Sequence, residues 1–329
     1  MTSKSRNLRS EGQRSASDGR LWKWGAAAAG SALAASAVVN HRRARQAEQD
    51  NPPLGEFLEV GGVTLHYVER GAGAPLLLLH GNGTMVEDWQ ASGLLDALAA
   101  DHRVIAVDRP GFGHSGRPRS TVWTPAAQAA LIAQALDRLG IERPLVVGHS
   151  FGTLVALALA LDNPGKLSGL VLLGGYYYPS ARADVVLASP PALPLVGDVI
   201  RYTVSPLLGT ALQPKIARKM FAPAPVPERF AGFPMAMALR PWQIRAEAAE
   251  AALMVPAAAA LARRYGELAL PVTIVAGRGD EVVDPIAQSA RLHDELSGSR
   301  FELIDGAGHM IHYTALPRVT RLIGEAAAR

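Results

Sequence analysis

The pattern with the most chemical content in this chain is a serine held between glycines, Gly148-His149-Ser150-Phe151-Gly152. An apolar run, Leu145-Val146-Val147, leads into it, and an apolar segment of helical length, Phe151–Leu161, leads out. A G-x-S-x-G pattern between strand and helix makes a nucleophile elbow, a turn so tight that the serine hydroxyl is thrust into the open. A serine hydroxyl is a weak nucleophile at neutral pH, so it needs a histidine base and an acid to orient that base. Elbow enzymes place them in the chain order serine, acid, histidine. Asp280, in Gly277-Arg278-Gly279-Asp280, and His309, in Gly306-Ala307-Gly308-His309, each lie just past an apolar strand-like run in that order. Glu281 and Asp284 compete for the acid role, but Asp284-Pro285 reads better as a helix cap. His312 competes for the base role and reads otherwise as a packed or surface residue. The negative charge that develops on the attacked carbonyl needs two N–H donors. The Phe151 amide at the helix start supplies one. His80-Gly81-Asn82-Gly83, after the run Pro75–Leu79, supplies the other, with the Asn82 N–H as candidate. This set performs acyl transfer through serine and calls for no metal and no organic cofactor.

Elements that could position these residues follow one another along the body. Phe57–Val60 and Val63–Val68 alternate in hydropathy about Gly61-Gly62, as an antiparallel hairpin does. Pro75–Leu79, Val104–Val107, Leu145–Val147, Leu170–Leu173, Val272–Val275 and Phe301–Ile304 are short apolar runs suited to central strands. Helical segments separate them. One opens at Thr124-Pro125, as N-cap and first-turn proline, and ends at Gly140; others cover Pro285–Leu296 and about Pro317–Ala327. Alternating strand and helix predicts an α/β fold, a mostly parallel central sheet with helices on both faces and functional groups at the strands' carboxyl ends. Residues 177–268, rich in Pro, Ala and Met, break the rhythm and read as a helical cap insertion. Within it, Ala192–Val196 and Phe230–Met237 suggest an apolar pocket roof. The division is then 1–50 as a tail, 51–176 and 269–329 as the core, and 177–268 as the cap.

Charge is unevenly placed. Residues 1–45 carry nine Lys/Arg against Glu11 and Asp18, a net of +7, while the whole chain carries +4, so the remainder is about −3. The body therefore lacks the basic balance of a nucleic-acid-binding domain. With no cysteine, disulfide frameworks, thiolate metal sites and cysteine nucleophiles are all excluded. Within the tail, residues 21–39 are apolar apart from Lys23, with Trp22 and Trp24 suited to a membrane interface. The expectation is a membrane partner through an N-terminal anchor, its basic end on the cytoplasmic side. Alternatives are a cleaved secretory signal, for which Ala35-Ser36-Ala37 fits, and a tail of a cytoplasmic protein.

From Glu56 to Arg329 the chain resembles the α/β-hydrolase superfamily, in its cap-bearing branch of esterases, epoxide hydrolases, haloalkane dehalogenases and carbon–carbon bond hydrolases. The resemblance rests on His80-Gly81, Asp108-Arg109-Pro110-Gly111-Phe112-Gly113-His114-Ser115, the serine elbow, Gly277–Asp280 and Gly308-His309, all in the family's order. It implies a triad of Ser150, Asp280 and His309 with Asn82 and Phe151 at the oxyanion; Asp108–Ser115 is implied to be structural, without chemistry. Epoxide hydrolases and dehalogenases carry aspartate where Ser150 stands, and Gly83 occupies the place of the proline in the epoxide hydrolases' His-Gly-x-Pro. The Gly-Gly-Pro oxyanion loop of proline iminopeptidases is also absent. What remains is hydrolysis of an ester or related acyl bond, expected on a small to medium apolar substrate. Carbon–carbon bond hydrolysis of a ketoacid is the alternative, as is a non-catalytic ligand-binding member, although such members lose a triad residue.

Overall fold

The apolar runs pair side by side into one sheet of eight strands, β1 Glu56–Val60, β2 Val63–Arg70, β3 Pro75–Leu79, β4 Arg103–Val107, β5 Leu145–His149, β6 Gly169–Leu173, β7 Val272–Gly277 and β8 Arg300–Ile304. The computed structural model describes the backbone of residues 5–329 and the side chains of residues 22–329. Of the basic tail, Lys4 and the side chains of Arg6, Arg9, Arg14, Arg20 and Leu21 lie outside the described residues. The strand order is β1-β2-β4-β3-β5-β6-β7-β8. β1 and β2 form the hairpin, closing at the pair Val60↔Val63 through Gly61 and Gly62, whose φ values of 58° and 75° only glycine adopts at low cost. β2 runs antiparallel to β4, and every pairing from β4 to β8 is parallel.

Thirteen helices complete the described fold. Helix α1 spans Ser5–Asp50; α2 Val86–Ala91 and α3 Leu94–Ala99 join β3 to β4; α4 Pro125–Arg138 precedes β5, and α5 Phe151–Asp162 follows it. Between β6 and β7 come α6 Ala183–Ala188, α7 Val196–Thr203, α8 Ser205–Phe221, α9 Met235–Ala238 and α10 Pro241–Ala262, and the chain ends with α11 Arg291–Glu295, α12 Ile311–Thr314 and α13 Leu316–Ala327. α4 begins as its sequence requires: the Thr124 hydroxyl accepts from the Ala127 N–H at 3.1 Å, with Pro125 in the first turn. Pro285–Leu296 is less regular than its composition suggests, a π-type turn at Ile286–Ala290 running into α11.

Alternation along the strands sorts the core into two layers. Leu77, Leu79, Ile105, Val146, Leu170 and Ile274 face α4, α5 and α11. Leu76, Leu78, Val104, Val147, Val171 and Val275 face α3 and α13. All four leucines of β3 are fully buried, each contributing about 1.5–3 kcal/mol. A third cluster joins the underside of the cap to the sheet's carboxyl edge through Phe221, Phe230, Phe233, Met310 and Tyr313.

The tail is not separate from this body. α1 is one helix of 46 residues. Its last turns dock on the cap along a stripe of Ser36, Asn40, Ala44 and Ala47, a spacing of three to four residues that keeps one helical face inward. The Ser36 hydroxyl donates to the Thr203 carbonyl at 2.8 Å, and Asn40 Nδ2 donates to the carbonyls of Tyr202 and Thr203 at 2.9 and 3.1 Å. Glu48 accepts from Arg240 of the cap at 2.9 Å. Among the described residues no single helix is long and apolar enough to cross a membrane; the bent pair Ala183–Ala192 and Val196–Thr203 reaches that hydropathy only together.

Asn40→Ala takes the side-chain donor from the Tyr202 carbonyl and leaves Thr203 with Ser36 alone, a loss of about 1–3 kcal/mol. Limited proteolysis is expected to cut α1 faster in this variant, while urea unfolding of the core stays unchanged; equal cutting rates would mean that Asn40 does not hold the helix.

Candidate active site

Ser150 joins β5 to α5 with φ 50° and ψ −120°. A non-glycine residue in that region stores about 1–3 kcal/mol of strain. The surroundings leave no other route for the chain. A Cβ on Gly152 would fall 2.2 Å from the Leu79 carbonyl oxygen, and one on Gly148 would fall 2.8 Å from the Gly152 oxygen. The Ser150 N–H donates to the Leu173 carbonyl at 2.9 Å, fixing the elbow to the end of β6.

The next residue, Gly174, abuts the other two members of the predicted triad. A Cβ there would lie 3.5 Å from His309 Nδ1 and 3.7 Å from Asp280 Oδ2. His309 Nδ1 and Asp280 Oδ2 are 2.8 Å apart and almost wholly buried. Asp280 Oδ1 accepts from the amides of Val282 and Val283 at 2.8 and 2.9 Å. An ionised carboxylate only accepts, so Nδ1 of His309 carries the proton and the Nε2 lone pair is left to act as base. Ser150 Oγ and His309 Nε2 share no hydrogen bond among the described residues, a contact that commonly tightens only when substrate binds. The rival residues go elsewhere: Asp284 caps the following turn through the amides of Ile286 and Ala287, and Glu281 is exposed.

His312 sits behind the triad. Its Nε2 donates to Asp88 Oδ2 at 3.0 Å, and Tyr313 donates to Asp88 Oδ1 at 2.9 Å. His149 stands between them, its ring 4.6 Å from that of His312 and 5.0 Å from that of His309, donating through Nε2 to the His309 carbonyl at 3.1 Å. Burial, then the neighbouring His312 and His309, holds His149 well below the usual histidine range, so it is a neutral buttress. Asp88, His149 and His312 gather their ligand-type atoms within 4.8 Å. With the Asp88 oxygens and both Nε2 atoms committed to hydrogen bonds, two Nδ1 atoms remain, fewer than a metal site needs.

The oxyanion loop is set by Arg109, a buried side chain in the segment to which the sequence assigned no chemistry. Its Nε donates to the His80 carbonyl at 2.8 Å and its Nη2 to the Gly81 carbonyl at 2.9 Å. His80 Nδ1 and Thr84 Oγ1 reach the same Gly81 oxygen at 2.8 and 3.2 Å. A trans peptide is planar, so fixing the Gly81 C=O toward Arg109 turns the Asn82 N–H the opposite way. Gly81 itself lies against the elbow, where a Cβ would be 3.2 Å from that of Ser150. The Phe151 N–H stands at the first turn of α5, where the helix leaves it unpaired. His80 is consistent with this arrangement. Burial and the Arg109 charge push it down to about 3, so it is neutral, donating from Nδ1 and accepting the Arg109 N–H on Nε2 at 3.0 Å.

Arg109 is neutralised from the cap. Its Nη1 donates to Glu250 Oε1 of α10 at 2.5 Å and to Gln128 Oε1 of α4 at 3.0 Å. One turn earlier on α10, the Glu247 carbonyl accepts from Asn82 Nδ2 at 3.1 Å. Sequence reasoning missed both glutamates. The available signal was their three-residue spacing in an otherwise apolar helix, which puts two acids on one face.

A cavity of about 340 Å³ opens on Asn82, Gly83 and Thr84 beneath the cap. Met220, Phe230, Phe233, Met235 and Ile244 give it apolar walls, and Glu247 is its one charged side chain. Ser150 and His309 do not line it; the oxyanion-loop residues Asn82, Gly83 and Thr84 are where it meets the site. Phe230–Met237 thus contributes to a roof as expected; Leu193, Leu195 and Val196 do not, standing exposed on the outer surface instead. The Glu247 carboxyl lies over Gly83 without a hydrogen-bond partner, and burial, with the nearby Glu250 charge, pushes it up to about 7.

Glu250→Ala leaves Arg109 charged, buried and unpaired, a loss of about 3–5 kcal/mol expected in urea unfolding. An unfolding midpoint like that of wild type would show that Gln128 and the carbonyls suffice for Arg109. For Glu247, the unfolded chain ionises from pH 4.5 upward while the fold keeps the proton to about 7, so stability falls across that window and then levels off. Glu247→Gln is therefore expected to gain on wild type in thermal melts as pH rises from about 5 to about 8. A Tm difference independent of pH would show that the folded carboxyl ionises normally.

Residues 74–316 match the family described as alpha/beta hydrolase fold. The chain is 28% identical over 302 residues to a 2-hydroxymuconate semialdehyde hydrolase of Pseudomonas sp. (strain CF600), covering 85% of this chain and 95% of that protein. Among solved structures it is similar to a thermophilic esterase from Thermogutta terrifontis, with TM-score 0.68 and 23% identity over 82% of this chain and 97% of that one. It is likewise similar to a meta-cleavage product hydrolase from Pseudomonas fluorescens IP01, with TM-score 0.65 and 24% identity over 84% and 98%. The chain belongs to the α/β-hydrolase fold family, and it is a hydrolase by that membership.

Proposed function

We propose that this protein hydrolyses a carboxylic ester of a small to medium apolar substrate through an acyl-enzyme on Ser150. His309 Nε2 takes the Ser150 proton as Oγ attacks the carbonyl carbon. Asp280 holds the imidazole in the required tautomer and stabilises the imidazolium. The oxyanion is met by the N–H groups of Asn82 and Phe151, each such donor being worth about 10²–10³ in rate. Protonated His309 then gives its proton to the leaving alcohol, and water, activated by the same base, releases the acid.

The observation that carries the choice of substrate is the cavity wall. It holds no Lys or Arg among the described residues, and its one ionisable side chain is the acid Glu247. A ketoacid would bring its carboxylate into an apolar space beside Glu247, with nothing to balance the charge. A neutral ester meets no such penalty, and the volume lies in the range of small-molecule sites, about 300–1,000 Å³. The second reading, carbon–carbon bond hydrolysis, is favoured by the names of relatives that match nearly full length, a 2-hydroxymuconate semialdehyde hydrolase and a 2-hydroxy-6-oxo-2,4-heptadienoate hydrolase.

A fluorophosphonate probe is expected to label the wild type and not Ser150→Ala, and a series of p-nitrophenyl esters to show a rate maximum at one acyl length. Turnover of a dienoic ketoacid with none of any ester would instead establish the second reading.

A further inference from the structure

The cap turns two unlike faces outward and inward, and the outer one is apolar. Leu187, Leu195, Val196, Val199, Leu207 and Leu212, on α6 to α8 and the turn between α6 and α7, are all exposed, Leu187 and Leu195 by 80% and 81%. Single exposed leucines are ordinary, whereas a contiguous set on consecutive helices marks an interaction surface. α1 extends it. Ser36 and Asn40 fasten α1 to the end of α7, and from Trp22 to Ala35 every residue of α1 is exposed, Trp22 and Trp24 by 76% and 70%.

Charge identifies what covers this surface. Residues 21–45 contain Lys23, Arg42, Arg43 and Arg45 and no Asp or Glu; on α6 to α8 Asp198 is paired with the buried Arg201 and Asp184 with Arg182, while Lys215, Arg218 and Lys219 stand exposed without an acid beside them in sequence. The rest of the body is net negative. Exposed apolar side chains, interfacial tryptophans and a net basic charge form the combination that binds an anionic lipid surface, each basic group near it adding about 1 kcal/mol. Neither stretch alone is a spanning helix, which fits docking onto the bilayer instead of crossing it.

The cavity shares α6 and α8 with this surface. Ala188, Leu208 and Ile216 line it and are themselves solvent-exposed. We propose that α6–α8 and the free turns of α1 form one docking face for anionic bilayers, delivering membrane-partitioned esters into the cavity; the substrate part of this rests on the esterase reading above.

The test uses the full chain with phosphatidylcholine vesicles, with and without phosphatidylglycerol. Wild type is expected to sediment with the anionic vesicles, and the double variant Leu187→Asp/Leu195→Asp to bind roughly tenfold more weakly despite an intact α1. Hydrolysis of a vesicle-borne p-nitrophenyl ester should fall in step, while soluble p-nitrophenyl acetate is turned over at the wild-type rate, which also shows that the variant is folded. Val199→Asp is the second variant should the first not fold. Undiminished vesicle binding by both variants overturns the proposal, because α1 alone would then account for it. So does concentration-dependent self-association that is abolished by the same variants, which would assign the face to a second copy. If wild type hydrolyses no soluble ester, the esterase reading falls, and the binding measurement still decides the docking face.

Discussion

The site depends on one buried guanidinium. Arg109 holds two successive carbonyls of the oxyanion loop and is neutralised by an acid from a different layer of the molecule. Remove its charge partner and a cation is left in an apolar interior, a cost of about 3–5 kcal/mol. Remove the guanidinium, and the Gly81 carbonyl loses its charged donor, so that nothing as strong fixes the direction of the Asn82 N–H. The acyl transfer proposed for Ser150 would need that direction, since a donor helps only when aimed where the oxyanion forms. The same arrangement makes α10 part of the active-site floor. Its Glu250, the Glu247 carbonyl, and Gln243 and Arg240, which bond the backbone of Gly113, fasten one side of the cap to the core. α6 to α8 are tied more lightly, by the exposed Arg119–Asp198 pair, the Met310 N–H on the Met220 carbonyl, apolar packing and α1.

The sheet supplies the second constraint, since its parallel strands end at one edge. β5 delivers Ser150, β6 the carbonyl that accepts from it, β7 the loop with Asp280 and β8 the loop with His309. The strain at the elbow persists because the glycines on either side leave no space for another path. Behind this edge, His149, His312, Asp88 and Tyr313 form a hydrogen-bonded backing that holds the His309 backbone from the rear. A base used repeatedly must return to one position, and a packed, neutral backing provides it.

Much of this was legible because it is local. Apolar runs of four or five residues announced each strand, the glycine pair announced the hairpin, Thr124-Pro125 announced α4, and the elbow pattern places its serine by its own sterics. Asp280 and His309 could be read because each follows a strand at the sheet edge where Ser150 stands. The missing part was the set of long-range partners. Nothing around Arg109 in the chain states that it will be buried against Glu250, 141 residues away, and a glutamate in an Ala-rich helix looks like a solvated one. α2 and α3 were not foreseen either, being six residues each and too short to show helical periodicity. The tail was read as an apolar stretch with polar flanks, whereas its helix runs on to Asp50, because the docking stripe of Ser36, Asn40, Ala44 and Ala47 is too mild in hydropathy to announce a buried face.

The two sides of the cap are shaped by opposite requirements. Facing inward, α10 places acids beside a cation and over a glycine loop, and each must be paired or protonated because water is scarce there. Glu250 meets that demand by pairing with Arg109, and Glu247 by holding its proton up to about pH 7 in the wall of an apolar cavity. On the proposed ester reading, such a cavity would receive a neutral acyl chain. Away from the core, the cap leaves leucines and valines in water. Burying Leu187 and Leu195 against the body would contribute about 1.5–3 kcal/mol each. The fold forgoes that stability on α6 and at the turn into α7, a cost that the docking face proposed for the cap would account for.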